Sequence, residues 1–214
     1  IEDVDRLEPF LINLVSPYDH WLFASSRGGV TAGRVDADQA LFPYYTEDKL
    51  HHLSGLQGPA TQLWVNDSHY WAPFQWAQDP FQSVRRHLYK DVYSHQLIFE
   101  EVQEQLGLRM QYSWQVSEAF GFVRQAKLIN ESGQPVRVSL MDGVRQLLPA
   151  GIKKEAQDSR SNLMTAYKKA EWYGPIALYR FSATPIDRAE PAEALTTNVA
   201  WFAGEEPEGF SLQD

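Results

Sequence analysis

Cysteine is missing from all 214 residues, which excludes a disulfide framework and any thiolate metal site. Basic residues are in deficit: 19 Lys and Arg against 28 Asp and Glu leave a formal net charge of −9. A chain of that sign lacks the basic face that a phosphate backbone requires. The one dense basic stretch, "RRHLYK" from Arg85 to Lys90, is too short to supply it, so no nucleic-acid partner is expected. Long apolar runs are absent as well. None approaches the ~20 residues of a membrane helix, and no membrane partner is expected. With no secretory signal visible, the expected compartment is the cytoplasm; the start at Ile1 reads as that of a trimmed or processed chain.

What the chain does have is aromatic and hydrophobic weight. Hydrophobic residues make up 43% and aromatics 13%, with seven Trp and ten Tyr, enough for a core and well suited to pleated sheets. Short apolar runs are punctuated by turn signals at Gly28-Gly29, Gly55, Gly58-Pro59, Asn66-Asp67, Gly133, Asp142-Gly143 and Gly151. That spacing predicts an all-β fold, a two-layer antiparallel sandwich with one or two short helices. "PFLINLV" (Pro9–Val15) and "HWLFASS" (His20–Ser26) read as strands. "TQLWVND" (Thr61–Asp67) alternates, with Leu63 and Val65 on one face and Trp64 on the other.

The stretch "HWLFASSRGGVTAGR" (His20–Arg34) admits three readings. A phosphate loop would enter a helix through Lys-Ser or Lys-Thr, and a nucleophile elbow would need Gly-x-Ser-x-Gly; neither is present. Gly28-Gly29 instead fits a two-residue hairpin turn. Further on, "FGFVRQAKLINESGQPVRVSLMDGV" reads as a hairpin with "NESGQP" as its turn. "HQLIFEEVQEQLGLRMQYSWQVS" has some helical spacing at Ile98, Val102 and Leu106, but the alternation after Gly107 favours two strands turning near Gln105-Leu106-Gly107. "SNLMTAYKKAEW", capped by Ser161, is the helix, expected between Ser159 and Trp172 with Leu163, Ala166, Tyr167 and Ala170 on its apolar stripe.

Candidate chemistry is sparse. The six histidines show no HxH or HExxH spacing, and the adjacent His51-His52 cannot easily share one ion, so no metal and no cofactor is expected. The densest acidic spots are "FEEV" (Phe99–Val102) and "DRAEP" (Asp187–Pro191); the second reads as an ion-paired corner around Arg188. "HYWAPFQWAQDPF" gathers Tyr70, Trp71, Phe74, Trp76 and Phe81 beside prolines, which confine it to a loop or an edge strand. Its rings either pack beneath the loop, meet a neighbouring domain, or face solvent as a stacking platform for sugar. Tyr70, Trp71 and Trp76 are the candidate carbohydrate-binding residues.

Taken in order, "ALFPYYTEDKLH", "LWVNDSHYWAPF", "LGLRMQYSWQVSEAFGFVRQAKLINESGQPVRVSLMDGV" and "IDRAEPAEALTTNVAW" resemble the N-terminal domain of bacterial proteins related to cellobiose and chitobiose phosphorylases. The resemblance includes a "Leu-x-Asn-x-Ser" turn at Leu128–Ser132. It implies a β-super-sandwich of the galactose-mutarotase type over residues 1–204, with residues 205–214 starting a linker to an (α/α)₆ catalytic barrel. By this resemblance the parent protein is a glycoside phosphorylase- or hydrolase-like enzyme. The chain itself is a non-catalytic module that serves domain packing, dimerisation or the shape of the sugar site, with the barrel, a second copy and an oligosaccharide as partners. The helix before the last strands departs from the family's pattern, and no catalytic residue carries over. Two alternatives stand: a stand-alone carbohydrate-binding module using Trp71 and Trp76, or a mutarotase-like epimerase. The epimerase would need His95 or His69 as acid and Glu100, Glu101 or Glu118 as base.

Overall fold

A computed structural model describes residues 1–76, 83–184 and 193–212. "DRAEP", with Asp187, Arg188 and Glu190, lies outside the described residues, as does Phe81. The chain divides into two compact units, one of residues 1–32 and 45–146, the other of residues 33–44 and 147–214. Strand is the dominant regular structure of the described residues, with antiparallel pairing and three short α-helices.

In the first unit, β1 (Leu11–Leu14) pairs with β2 (His20–Ser25), which turns into β3 (Val30–Arg34). The turn is the hairpin expected at Gly28-Gly29, in a three-residue form. The Gly28 N–H donates to the Ser25 carbonyl, the Ser25 N–H donates to the Gly29 carbonyl, and Gly28 takes φ +97°. This is a turn closed by a left-handed residue, for which glycine carries no steric cost. Gly29 is small for a different reason: a Cβ there would sit 2.2 Å from the carbonyl oxygen of Leu50, the last residue of α1 (Glu47–Leu50).

Two further sheets make the sandwich of this unit. One runs β11-β5-β6, from β5 (Gly58–Val65), β6 (His69–Trp71) and β11 (Val138–Arg145). The other runs β10-β9-β8-β7, from β7 (Val84–Lys90), β8 (Gln96–Gln103), β9 (Leu108–Ser117) and β10 (Gly121–Asn130). Leu63, Val65 and Trp71 of the first meet Leu108 and Met110 of the second, all fully buried, as two sheets stacked face to face require. The β8–β9 turn falls where the alternation placed it, with Gly107 at φ +61°.

The strands and turn of "FGFVRQAKLINESGQPVRVSLMDGV" are present, but they do not form a hairpin. β10 pairs along its whole length with β9, and β11 pairs with β5 in the facing sheet. Alternation shows that a segment is a strand; it does not name the partner. The "NESGQP" loop therefore turns a corner between sheets. Asn130 holds it by donating to the Gln134 carbonyl at 2.6 Å, and the Glu131 N–H anchors to the Gly107 carbonyl at 2.8 Å.

The second unit contains β4 (Ala40–Phe42), α2 (Lys154–Ser159), α3 (Ser161–Tyr167) and a sheet of order β12-β13-β14: Lys168–Tyr173, Ile176–Phe181 and Asn198–Trp201. The Leu148 N–H donates to the Leu41 carbonyl, and Asn198 Nδ2 donates to the Leu148 carbonyl. The expected helix stops at Tyr167. Ala170 and Trp172 belong to β12, because Gly174-Pro175 folds this segment back onto β13 and the paired backbone overrides a weak helical pattern. Ser161 is the first helical residue rather than the cap, and Met164 is the side chain that α3 buries, Leu163 being exposed.

Candidate functional site

Strand alternation sorts the aromatic cluster. β6 is an edge strand, as the prolines demand, and its successive residues point to opposite faces. Trp71 points inward and is 1% exposed; its Nε1 donates to Glu101 Oε1 at 2.8 Å. Glu101 Oε2 accepts from the Phe74 N–H and from Arg86 Nε, each at 2.7 Å. The carboxylate is fully buried, and these three donors satisfy it. Phe74 sits at φ +65°, a strained position for a bulky residue. The Glu101 bond to its N–H, the Ser54 hydroxyl on its carbonyl and an edge contact with Tyr112 at 4.7 Å hold it there. Burial pushes the Tyr112 hydroxyl well above the usual phenol range, so it stays protonated.

Trp76 is held by the same frame. Its Nε1 donates to the Arg27 carbonyl at 2.8 Å, and the Arg27 and Arg86 guanidinium carbons lie 5.2 and 4.6 Å from its ring centroid. The three candidate sugar-binding residues thus stand in three different settings. Trp71 is a core ring, and Trp76 is half-buried with two guanidinium groups against its ring.

Tyr70 faces outward, 48% exposed, and packs against Trp64 directly opposite on β5, which is 41% exposed. The ring centroids are 5.4 Å apart at 57°. Ser139 of β11 flanks Trp64 on its other side, and Gln62 opposite Met141 forms the next row of the same face. The exposed aromatic pair of this region is therefore Trp64 with Tyr70. The alternation of "TQLWVND", which opposes Trp64 to Leu63 and Val65, is the signal that could have found it.

The acid–base candidates are spread over several elements. Glu100 is buried on the other face of the sheet from Glu101, and accepts from Tyr89 Oη at 2.9 Å and from Gln111 Nε2, with Arg109 Nη1 at 3.5 Å. Glu118 lies in the exposed β9–β10 turn. His95 stacks on Tyr93 with centroids 5.9 Å apart, and His69 shares a 2.8 Å hydrogen bond with Ser68. Neither histidine is brought to a candidate carboxylate. The histidine that does stand opposite Glu100 is His87, whose Nδ1 accepts from the Asp3 N–H at 3.0 Å.

A serine–histidine–carboxylate series does occur: Ser25 Oγ and His51 Nδ1 are 2.8 Å apart, and His51 Nε2 is 3.6 Å from Glu47 Oε1. The Ser25 residue is fully buried at the base of the hairpin, and its Oγ accepts from the Arg27 N–H at 3.1 Å. A nucleophile must reach its substrate; this group ties the β2–β3 turn to α1. Among the described residues, no three His, Asp or Glu side chains converge to hold a metal ion, and no helix is long and apolar enough to cross a membrane. No protein-family model matches the chain, and no curated protein matches it.

Proposed function

We propose that the chain is a non-catalytic β-sandwich module of a carbohydrate-active protein, and that Trp64 and Tyr70 are the surface it presents to sugar. The observation that carries the reading is this exposed cross-strand pair, set among the polar side chains Gln62 and Ser139. Ring faces take the apolar CH face of a pyranose, while an amide and a hydroxyl beside them match its hydroxyls. The resemblance to the N-terminal domains of cellobiose- and chitobiose-phosphorylase-like proteins supports the same class. On that basis the catalytic acid belongs to an (α/α)₆ barrel of the parent protein, and the sandwich serves packing, dimerisation or the wall of the sugar site in the cytoplasm. Titration of the chain with cello- and chito-oligosaccharides, followed by tryptophan fluorescence, tests it. Trp64→Ala and Tyr70→Ala each weaken binding by about 1–3 kcal/mol with the melting temperature nearly unchanged. Unchanged binding in both variants refutes the role of this pair.

A further inference from the structure

The flank of the first unit's sandwich formed by β10 and β11 is open in both layers. Each strand ends its sheet, and among the described residues no backbone hydrogen bond reaches the outer edge of either. The two strands face each other, because Arg124 of β10 donates to both carboxylate oxygens of Asp142 of β11 across the sandwich. Burial ends abruptly there. Leu140 stands opposite Leu63 and shares its inward face, yet Leu63 is fully buried and Leu140 is 50% exposed. Ala126 stands opposite the buried Tyr112 and is exposed in the same way. One strand spacing carries each row from core to solvent, so a further strand in each layer would cover it.

An unpaired edge as long as β10 (Gly121–Asn130) is a template for strand addition unless proline or charge blocks it. β10 has no proline, and its two cations do not block it: Arg124 points inward onto Asp142, and Lys127, of the other parity, points outward. The strand is also complementary to itself. A two-fold axis perpendicular to the sheet keeps both inward faces on one side, which restricts self-pairing to residues of equal parity. Centring the axis on Arg124 or Lys127 sets like charges opposite each other, and centring it on Gln125 draws in Gly121, which at φ +66° is not extended. Centring it on Ala126 sets Val123 opposite Ile129 of the second copy, Gln125 opposite Lys127 and Arg124 opposite Leu128, with no cation facing a cation.

We infer that this flank is a homodimer interface, in which β10 pairs antiparallel with β10 of a second copy and Ala126 lies on the two-fold axis. The two four-stranded sheets become one of eight strands, and the inward-facing Ala126 and Leu140 meet the second sandwich instead of water. The inference gives a surface to the dimerisation named in the proposed function and rests on that part of the reading alone. Trp64 and Tyr70 stand on the outward face of β5 and β6, away from the paired edge.

The test is sedimentation velocity of the full chain over a concentration series, with cysteine crosslinking to read the register. The expected result is a concentration-dependent equilibrium of monomer and dimer. Ala126→Lys, at an exposed position, sets like charges opposite each other on the axis and raises the dissociation constant about tenfold or more, with the far-UV spectrum unchanged. Gln125→Glu meets Lys127 of the second copy twice and lowers it about threefold or more. In a chain without cysteine, Ala126→Cys supplies the only thiol, and the axis brings its two copies within the ~4.4–6.8 Å between Cα atoms that a disulfide spans. Mild oxidation therefore links the dimer through Ala126→Cys and not through Lys127→Cys, whose two copies lie beyond that reach. A chain that stays monomeric throughout overturns the inference and leaves this flank to another partner, with the sugar titration unaffected. A dimer unmoved by Ala126→Lys, or linked through Lys127→Cys and not through Ala126→Cys, overturns the assigned edge and register. A dimer that behaves as expected but binds no oligosaccharide keeps this interface while the sugar reading fails.

Discussion

Two edge strands carry the same aromatic pair in opposite order, Tyr70-Trp71 in β6 and Trp172-Tyr173 in β12, and their fates differ. Trp71 is buried to 1% with its indole N–H on Glu101; Trp172 remains 42% exposed, with its ring 5.0 Å from that of Phe210. Both strands alternate, and both send one ring to each face. The difference lies in what stands opposite. A four-stranded sheet with a buried carboxylate closes over β6, whereas Trp172 stays exposed beside the ring of Phe210 from the C-terminal stretch. Burial of an aromatic is thus set by the facing layer, not by the strand that bears it.

The comparison can be broken most directly at Glu101. Glu101→Ala strands the Arg86 guanidinium in the core and removes partners from Trp71 and Phe74, and it should cost about 3–5 kcal/mol of stability. A shift of the urea midpoint by less than a third of that would mean the network is incidental to the fold. Trp71→Ala, which empties a ring-sized volume between two sheets, should cost a similar ~3–5 kcal/mol, while Trp172→Ala should stay near ~1 kcal/mol. Equal losses at the two tryptophans would erase the distinction between the units.

The smallest effect concerns acid. Asp91 accepts from the backbone N–H groups of Gln96, His95 and Tyr93, and these bonds, that of Gln96 foremost, hold its carboxyl below the ordinary range. Its folded-state pKa is depressed, so its contribution is present above the unfolded-state value and disappears as pH falls through the folded one. Amide resonances of His95 and Gln96 should therefore hold their positions until the pH is below that at which a free aspartate protonates. Movement at the ordinary aspartate range would show that the turn leaves the carboxyl unbonded in solution.

Strand positions were legible because alternation is a local consequence of the pleat. β5, β8 and β9 lie where the pattern puts them, and Trp64 stands on the face opposite Leu63 and Val65. Strand partners were not. β10 and β11 are adjacent in the chain and joined by a turn rich in turn residues, yet Arg124 and Asp142 meet only through side chains, both carboxylate oxygens accepting at 2.7 Å across the sandwich. The choice between a hairpin and a corner depends on which free edges β5 and β9 offer, and that is a property of distant segments. The candidate surface divides in the same way. Tyr70 was legible as an aromatic on an edge strand, but its partner Trp64 is on another strand.

By itself, then, the sequence determined what local chemistry controls. The absence of cysteine removed disulfides, the turn residues cut the chain into strands, and a residue's parity within a strand chose its face. Only the tertiary structure decided which faces are covered. It turned Glu101 into a buried hub, made Trp71 interior, half-buried Trp76, and left Trp64 and Tyr70 exposed. The physical reason is that burial and pairing are set by groups far apart in the chain, and their free energies are realised only when the sheets have met.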